Sequence, residues 1–427
     1  MAIPLHFYPS VGNPLCWFTA AARVGAVLDP PDLEGFTRHA VELARRGAAG
    51  LDRERFDAEV DGIGAAIDME TDRDWVALSV TCLERNLERA VELAAAILRD
   101  PLMDAHEHEL LRRETIAELD DVRDDDGSLV DRYYLRHCAP GHSYGRTTLG
   151  TERSLPRLEL DAVKQHHGAL WAPDHLVFGV AGPITPARGG EVAAALTAAA
   201  GGGRVAAPRP ALEAPPLPPG RRVFVIDKPQ RTQCQMMIGH LAPRYGTDDF
   251  AALLPFETAF GGLFSSRLMQ EVRVARGWSY GASCRMQRAR APHWFRIQLA
   301  PTREVTVQAL QLVIELYEKA AADGLTPDEL ELATKHMTGA LPFVQATARQ
   351  RMRLAVRHDL LDLQPDYPAR LGDQLARITL DDVRAAASRW LDPANLCIVL
   401  VATADDIVPD LERAGFPPTA VLPYDSY

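Results

Sequence analysis

Two stretches of this sequence repeat each other. Leu155 to Ala181 aligns with Leu375 to Val401 at a constant offset of 220 residues and without a gap. The pairs Leu155/Leu375, Arg157/Arg377, Leu160/Leu380, Asp161/Asp381, Pro173/Pro393 and Leu176/Leu396 are identical. Each copy reads as a helix, a turn and a strand. A chain carrying one unit twice is most economically folded as two similar domains. The length of 427 residues demands the same, because single cores stop growing near about 250–300 residues. The seam is Gly201-Gly202-Gly203 and the proline-rich run Pro208 to Pro219, which lacks the apolar periodicity of a packed element. The expected organisation is a first domain over 1–203, a linker over 204–221 and a second domain over 222–427.

The bulk numbers exclude some functions. Net charge is −12, which argues against nucleic acid as a partner, since phosphate binding needs a basic face. No apolar run is long enough to span a bilayer, and Met1 to His6 lack the basic start and apolar core of a signal peptide. The six cysteines, Cys16, Cys82, Cys138, Cys234, Cys284 and Cys397, form no close pair in sequence. That is neither a disulfide framework nor a zinc ribbon, and it leads to the expectation of a cytoplasmic protein.

Helical and strand periodicities alternate along both halves. Strands are expected at Leu15–Leu28, Trp75–Cys82, Leu176–Val180, Val223–Ile226, Gln235–Ile238, Trp294–Leu299 and Leu396–Val401. Helices are expected at Gly35–Gly47, through Phe56 to Ile67, through Leu87 to Ile97, at Asp104–Asp121, Leu160–Trp171, Val305–Tyr317 and Leu380–Trp390. The acidic run of Asp120, Asp121 and Asp124 to Asp126 reads as a solvated helix end and loop, with weak cation binding as the minor alternative.

The most informative stretch runs from Gly261 to Gly281. It reads as a glycine turn, a helix and a strand. Ser265 and Ser266 are N-cap candidates, Leu268, Val272 and Ala275 make an apolar stripe, and Gly277 fits just past the helix end. Arg273 and Tyr280 then sit on two rigid elements that meet at one turn. From spacing alone, Arg273 could equally be a solvated helix residue and Tyr280 a half-buried strand residue. The stretch resembles the pattern S-R-L-x-x-x-x-R-x-x-x-G-x-x-Y of the pitrilysin/insulinase superfamily of inverted zincins, in its small mitochondrial-processing-peptidase-like branch. Ser266, Arg267, Leu268, Arg273, Gly277 and Tyr280 fill it. Gly141-His142-Ser143-Tyr144-Gly145 with Gly150-Thr151 looks like a second family loop. The resemblance implies an α+β fold of two duplicated sandwich-like domains of the metallohydrolase type. It also implies that Arg273 and Tyr280, with Ser266 as a further substrate-binding residue, reach across to a zinc site in the other half, hold the substrate and polarise the scissile carbonyl.

An active relative carries H-x-x-E-H on its first long helix, within G-L-x-H-x-x-E-H-x-x-x-x-G. Histidines four apart share a helical face and bind zinc, and the glutamate activates water. Here Gly35 and Gly47 keep the glycine spacing, but the motif positions hold Arg38, Val41 and Glu42. Glu118, 76 residues after Glu42, keeps only the third ligand position. His39 with Glu42 looks like a copy shifted by one residue, but one residue rotates a helical side chain by about 100° and leaves Leu43 where a ligand is needed. His106 and His108, two apart, do not share a helix face and read as polar helix surface. His166-His167 fails alike, and His137 and His142 read as structural loop residues. The expectation is a chain with no metal of its own: the non-zinc subunit of a heterodimeric metallopeptidase, with zinc in a homologous partner and a peptide as substrate. The lone chain could also form a homodimer. The alternative is a structural or peptide-binding subunit resembling the core subunits of the respiratory bc1 complex.

Overall fold

The computed structural model describes residues 3–201, 206–215 and 217–426. Gly202 and Gly203 of the expected seam, and Arg204, Val205 and Pro216 of the expected linker, lie outside them. The strands in chain order are β1 Leu5–Pro9, β2 Leu15–Ala22, β3 Ala66–Thr71, β4 Val76–Leu83, β5 Leu176–Gly182, β6 Arg222–Asp227, β7 Gln235–Ala242, β8 Ser279–Met286, β9 His293–Pro301, β10 Cys397–Ala402 and β11 Ala420–Pro423. The first helices are α1 Phe36–Ala44, α2 Arg53–Gly62, α3 Leu87–Arg99, α4 Ala105–Asp124, α5 Asp126–Cys138, α6 Leu160–Leu170 and α7 Pro186–Ala200. The rest are α8 Asp248–Glu257, α9 Thr306–Asp323, α10 Pro327–Val344, α11 Ala348–Leu360, α12 Tyr367–Arg377, α13 Leu380–Trp390 and α14 Ala404–Arg413.

The duplication is visible in the topology. One sheet has the order β1-β5-β2-β4-β3, the other β11-β6-β10-β7-β9-β8. In both, the first strand pairs parallel with the last strand of the shared motif, and the following neighbours are antiparallel. The second sheet adds β11, parallel to β6. Helices α6 and α13 start 220 residues apart, as the repeat requires, and each leads into a fully buried strand, β5 or β10. The fold class read from the sequence is the one observed.

The two compact units are not the two halves of the sequence. One comprises 1–119, 147–211 and 342–365; the other comprises 120–146, 212–341 and 366–427. A single cut within 204–221 therefore misses an exchange of helices. The first half sends α5 into the second unit, where Leu129, Tyr134 and Cys138 bury against Phe224, Met237, Trp294 and Val399. The second half sends α11 into the first unit, where Met352 and Val356 bury against Trp17, Ala77 and Val177. Both helices are 13 residues long. Each fully buried Leu or Met stabilises its unit by about 1.5–3 kcal/mol. The physical reason for the exchange is that each sheet has two apolar faces, and one half of the chain covers only one of them.

Each exchanged helix crosses a strand at a glycine. A Cβ on Gly179 would lie 2.4 Å from the Met352 Sδ, and one on Gly239 would lie 2.0 Å from the Phe295 carbonyl oxygen and 2.4 Å from the Tyr134 hydroxyl. The acidic run before α5 is also built in. Asp125 accepts from the Ser128 N–H and caps α5. The buried Lys228 ammonium donates to Asp126 at 2.6 Å and to the Asp124 carbonyl at 3.0 Å. Asp125 is exposed, as a solvated helix end should be, but the solvated-loop reading of the sequence fails for Asp126. Gly239→Ala, which drives a methyl into backbone rather than into a flexible side chain, should destabilise by about 1–3 kcal/mol or more, read as a lowered denaturant midpoint; an unchanged midpoint would contradict this packing.

Candidate functional site

Helix α1 is fixed at its start by the Asp29 carboxylate, which accepts from the backbone N–H groups of Gly35 (3.0 Å) and Thr37 (2.9 Å) and from the Thr37 hydroxyl. In the sequence Asp29 stands before Pro30 and Pro31 with no sign of this cap. Gly35 has φ +89° and Gly150 has φ +94°; a Cβ on Gly35 would sit 2.8 Å from the Gly150 Cα. Two motifs far apart in sequence thus meet back to back, and neither position tolerates a side chain.

The fixed helix presents Arg38 and Glu42 on one face, where i, i+4 residues are neighbours. The Arg38 Nε donates to Glu42 at 2.7 Å, and its terminal nitrogen donates to Glu118 on α4 at 2.8 Å. Burial lowers the affinity of this guanidinium for its proton, but the two carboxylates more than compensate, and its pKa is raised overall. Val41, at the position of the catalytic base, is fully buried. A guanidinium therefore bridges the two carboxylates that would face a metal. Zinc does not fit here: the first ligand position is itself a cation, and the second is ion-paired to it. Among the described residues no cluster of three or more His, Cys, Asp or Glu side chains has a metal-binding arrangement.

His39 is buried, and its Nε2 lies 2.9 Å from the His108 Nδ1. Burial first, then His108 and nearby arginines, push its pKa down to about 3, so the ring is neutral. The rotation expected of a one-residue slip is what the helix shows. His108 is a correction: it is not polar surface but buried, with its Nε2 3.0 Å from the Leu158 carbonyl. His166 stacks on Phe36 with ring centroids 4.4 Å apart. His137 lies on α5, not on a loop, and stacks on Phe224.

The second cluster is the Gly261–Gly281 segment. A Cβ on Gly261 would lie 2.4 Å from the Cys284 backbone nitrogen, so only glycine lets the segment approach β8 this closely. Its helix is short and finishes as a π-helical turn over Met269–Val274, with Ala275 N–H donating to the Gln270 carbonyl. Such turns cluster at functional sites. The end is an αL cap: Gly277, φ +65°, donates to the Arg273 carbonyl, and Trp278 donates to that of Val272. Leu268 and Val272 are buried, whereas Ala275 is exposed, because the π-turn shifts it off the stripe. Neither Ser265 nor Ser266 makes a side-chain cap. Ser266 is 2% exposed, and its buried hydroxyl has no hydrogen-bond partner among the described residues. Arg267, part of the motif in the sequence, gains its role from a partner the sequence does not show: it makes a two-point ion pair with Glu329 at 2.6 Å and donates to the Gly324 carbonyl, tying the segment to α10.

Arg273 and Tyr280 do come together. The guanidinium carbon lies 4.4 Å from the Tyr280 ring centroid and 5.3 Å from that of Phe264. Tyr280 is 86% exposed. It sits on the edge strand β8 within a register shift between Ser279 and Ala282, and such bulges re-aim side chains. The arrangement offers a fixed cationic donor fork next to a free phenol.

With this geometry in view, comparison with known proteins is direct. The model described as Insulinase (Peptidase family M16) matches residues 20–152, and the one described as Peptidase M16 inactive domain matches residues 157–337. An uncharacterized zinc protease of Streptomyces coelicolor is 24% identical over 376 residues, spanning 86% of this chain and 80% of its own. The non-peptidase homolog YmxG of Helicobacter pylori is 19% identical over 403 residues, spanning 94% and 92%. The crystal structure of a peptidase M16 inactive domain from Pseudomonas fluorescens superposes with a TM-score of 0.86 at 22% identity, covering 98% of this chain and 96% of that one. The chain belongs to the pitrilysin/insulinase (M16) peptidase family, as a homologue whose zinc motif has been replaced.

Arg38→Met should cost about 1–2 kcal/mol, less than a fully buried pair because Glu118 is half exposed. Burial already raises the Glu42 carboxyl above its usual value while Arg38 opposes it. Without Arg38, folded Glu42 holds its proton better than unfolded Glu42. The deficit should therefore shrink in acid and grow as pH rises through the folded pKa; a pH-independent deficit in denaturant titrations would contradict the pairing.

Proposed function

We propose that this chain is the non-zinc subunit of a heterodimeric zinc metallopeptidase. A homologous partner supplies the metal and its water; this chain supplies Arg273 and Tyr280. Arg273 hydrogen-bonds an extended peptide substrate, and the Tyr280 phenol donates to the oxyanion formed on hydrolysis. The observation that carries the reading is an asymmetry. The metal positions are filled by an arginine bonded to two carboxylates, while Arg273 and Tyr280 stand together on the surface of the other unit. We place the protein in the cytoplasm, a reading supported by cysteines that are all free and buried.

The second reading is a peptide-binding or scaffold subunit, favoured by the non-peptidase designation of the Helicobacter pylori relative. Co-expression with a zinc-bearing homologue and assay on a peptide library separates the two. Hydrolysis should require both chains, and Arg273→Ala or Tyr280→Phe should each lower kcat/KM by about 10²–10³. Full activity in both variants would remove the assigned roles, and a stable complex without dependence on either residue would favour the scaffold.

A further inference from the structure

The segment around Tyr280 carries three arginines in one short stretch, and they are not treated alike. Arg267 is paired with Glu329. Arg276 is paired with Glu271. Arg273 has no carboxylate at ion-pair distance among the described residues; it has the rings of Tyr280 and Phe264 instead. Nearby acids are thus taken by its neighbours, and the middle cation is left with an uncompensated charge.

Ring contacts hold a guanidinium by its face and leave its N–H edge free. That edge is a planar fork matched in geometry to a carboxylate, which it binds through two parallel hydrogen bonds. The rings beside it are open to ligand: Phe264 is 62% exposed and Tyr280 86%. Large apolar side chains grouped at the surface mark interaction sites more often than isolated ones do. The Gly277 cap and the Arg267–Glu329 pair fix the backbone that carries the fork, so little ordering cost remains on binding.

We propose that Phe264, Arg273 and Tyr280 form a receptor for a peptide carboxylate flanked by an apolar side chain, with Phe264 as the positioning residue that keeps the Arg273 fork turned outward. This rests on the reading of Arg273 as a substrate-binding residue and narrows it to a ligand class. The carboxylate comes either from the chain terminus of the peptide or from an Asp or Glu side chain within it.

The test is fluorescence-anisotropy binding of labelled hexapeptides to the full chain. One pair differs as C-terminal acid and C-terminal amide; a second pair, both amides, differs as internal Glu and Gln. One or both pairs should show tighter binding of the carboxylate member by roughly tenfold or more, as a charge-assisted two-point bond implies. The pair that shows it identifies the source. Arg273→Lys, which keeps charge but not the fork, and Phe264→Leu, which keeps bulk but not the ring face, should both collapse the preference, while Phe264→Tyr should restore it. Phe264→Leu with undiminished preference would overturn the positioning role. Equal binding within both pairs, still lost in Arg273→Ala, would overturn carboxylate recognition but leave Arg273 as a substrate residue. Binding indifferent to Arg273→Ala would overturn both.

Discussion

The metal-free form of this fold depends on one ion-pair network: the Arg38 guanidinium bonded at once to Glu42 and Glu118. The site keeps two negative groups that face each other across α1 and α4. Such a pair needs a cation to stay close, and in a chain without the histidine ligands that cation is a side chain. A guanidinium suits the place, because it stays charged and offers donors in a fork that spans two acceptors. The neighbouring Arg46, bonded to Glu107 and Glu114, extends the same network along the two helices. What would be a metal-dependent arrangement becomes a metal-independent one, and the helix geometry of the family persists without its chemistry.

That persistence explains how the second unit can remain functional in form. Its segment from Gly261 to Gly281 is fixed by its own devices: a glycine that lets two backbones approach, an arginine anchored to α10, a glycine cap and a strand bulge. None of them involves Arg38. The exchange of α5 and α11 ties each unit to residues of the other half of the sequence, so neither half of the chain covers its own sheet unaided. Loss of one chemical site therefore need not loosen the fold that carries the other.

Much of this was legible in the sequence. The repeat between Leu155–Ala181 and Leu375–Val401 foretold the matched α6–β5 and α13–β10 units, and Gly277 foretold the helix end. The replacement of the zinc motif was readable residue by residue. What stayed hidden depends on tertiary partners. Helix α5 follows an acidic run whose Asp126 is neutralised by Lys228, a hundred residues away. Ser266 looked like a cap, but its neighbours bury it. His108 sits in a charged stretch, yet its ring turns inward to His39. Asp29 reads as a loop residue until the chain folds its carboxylate onto the start of α1. Phe264 carries no motif at all; only its distance to Arg273 gives it a role.

The central claim is that a guanidinium stands in for a metal ion, and the zinc content of the purified full chain after zinc loading and desalting tests it most directly. Elemental mass spectrometry should find no retained zinc in the natural sequence, and about one ion per chain once Arg38→His, Val41→Glu and Glu42→His together restore the ligand set beside Glu118. Stoichiometric zinc in the unaltered chain would contradict the account.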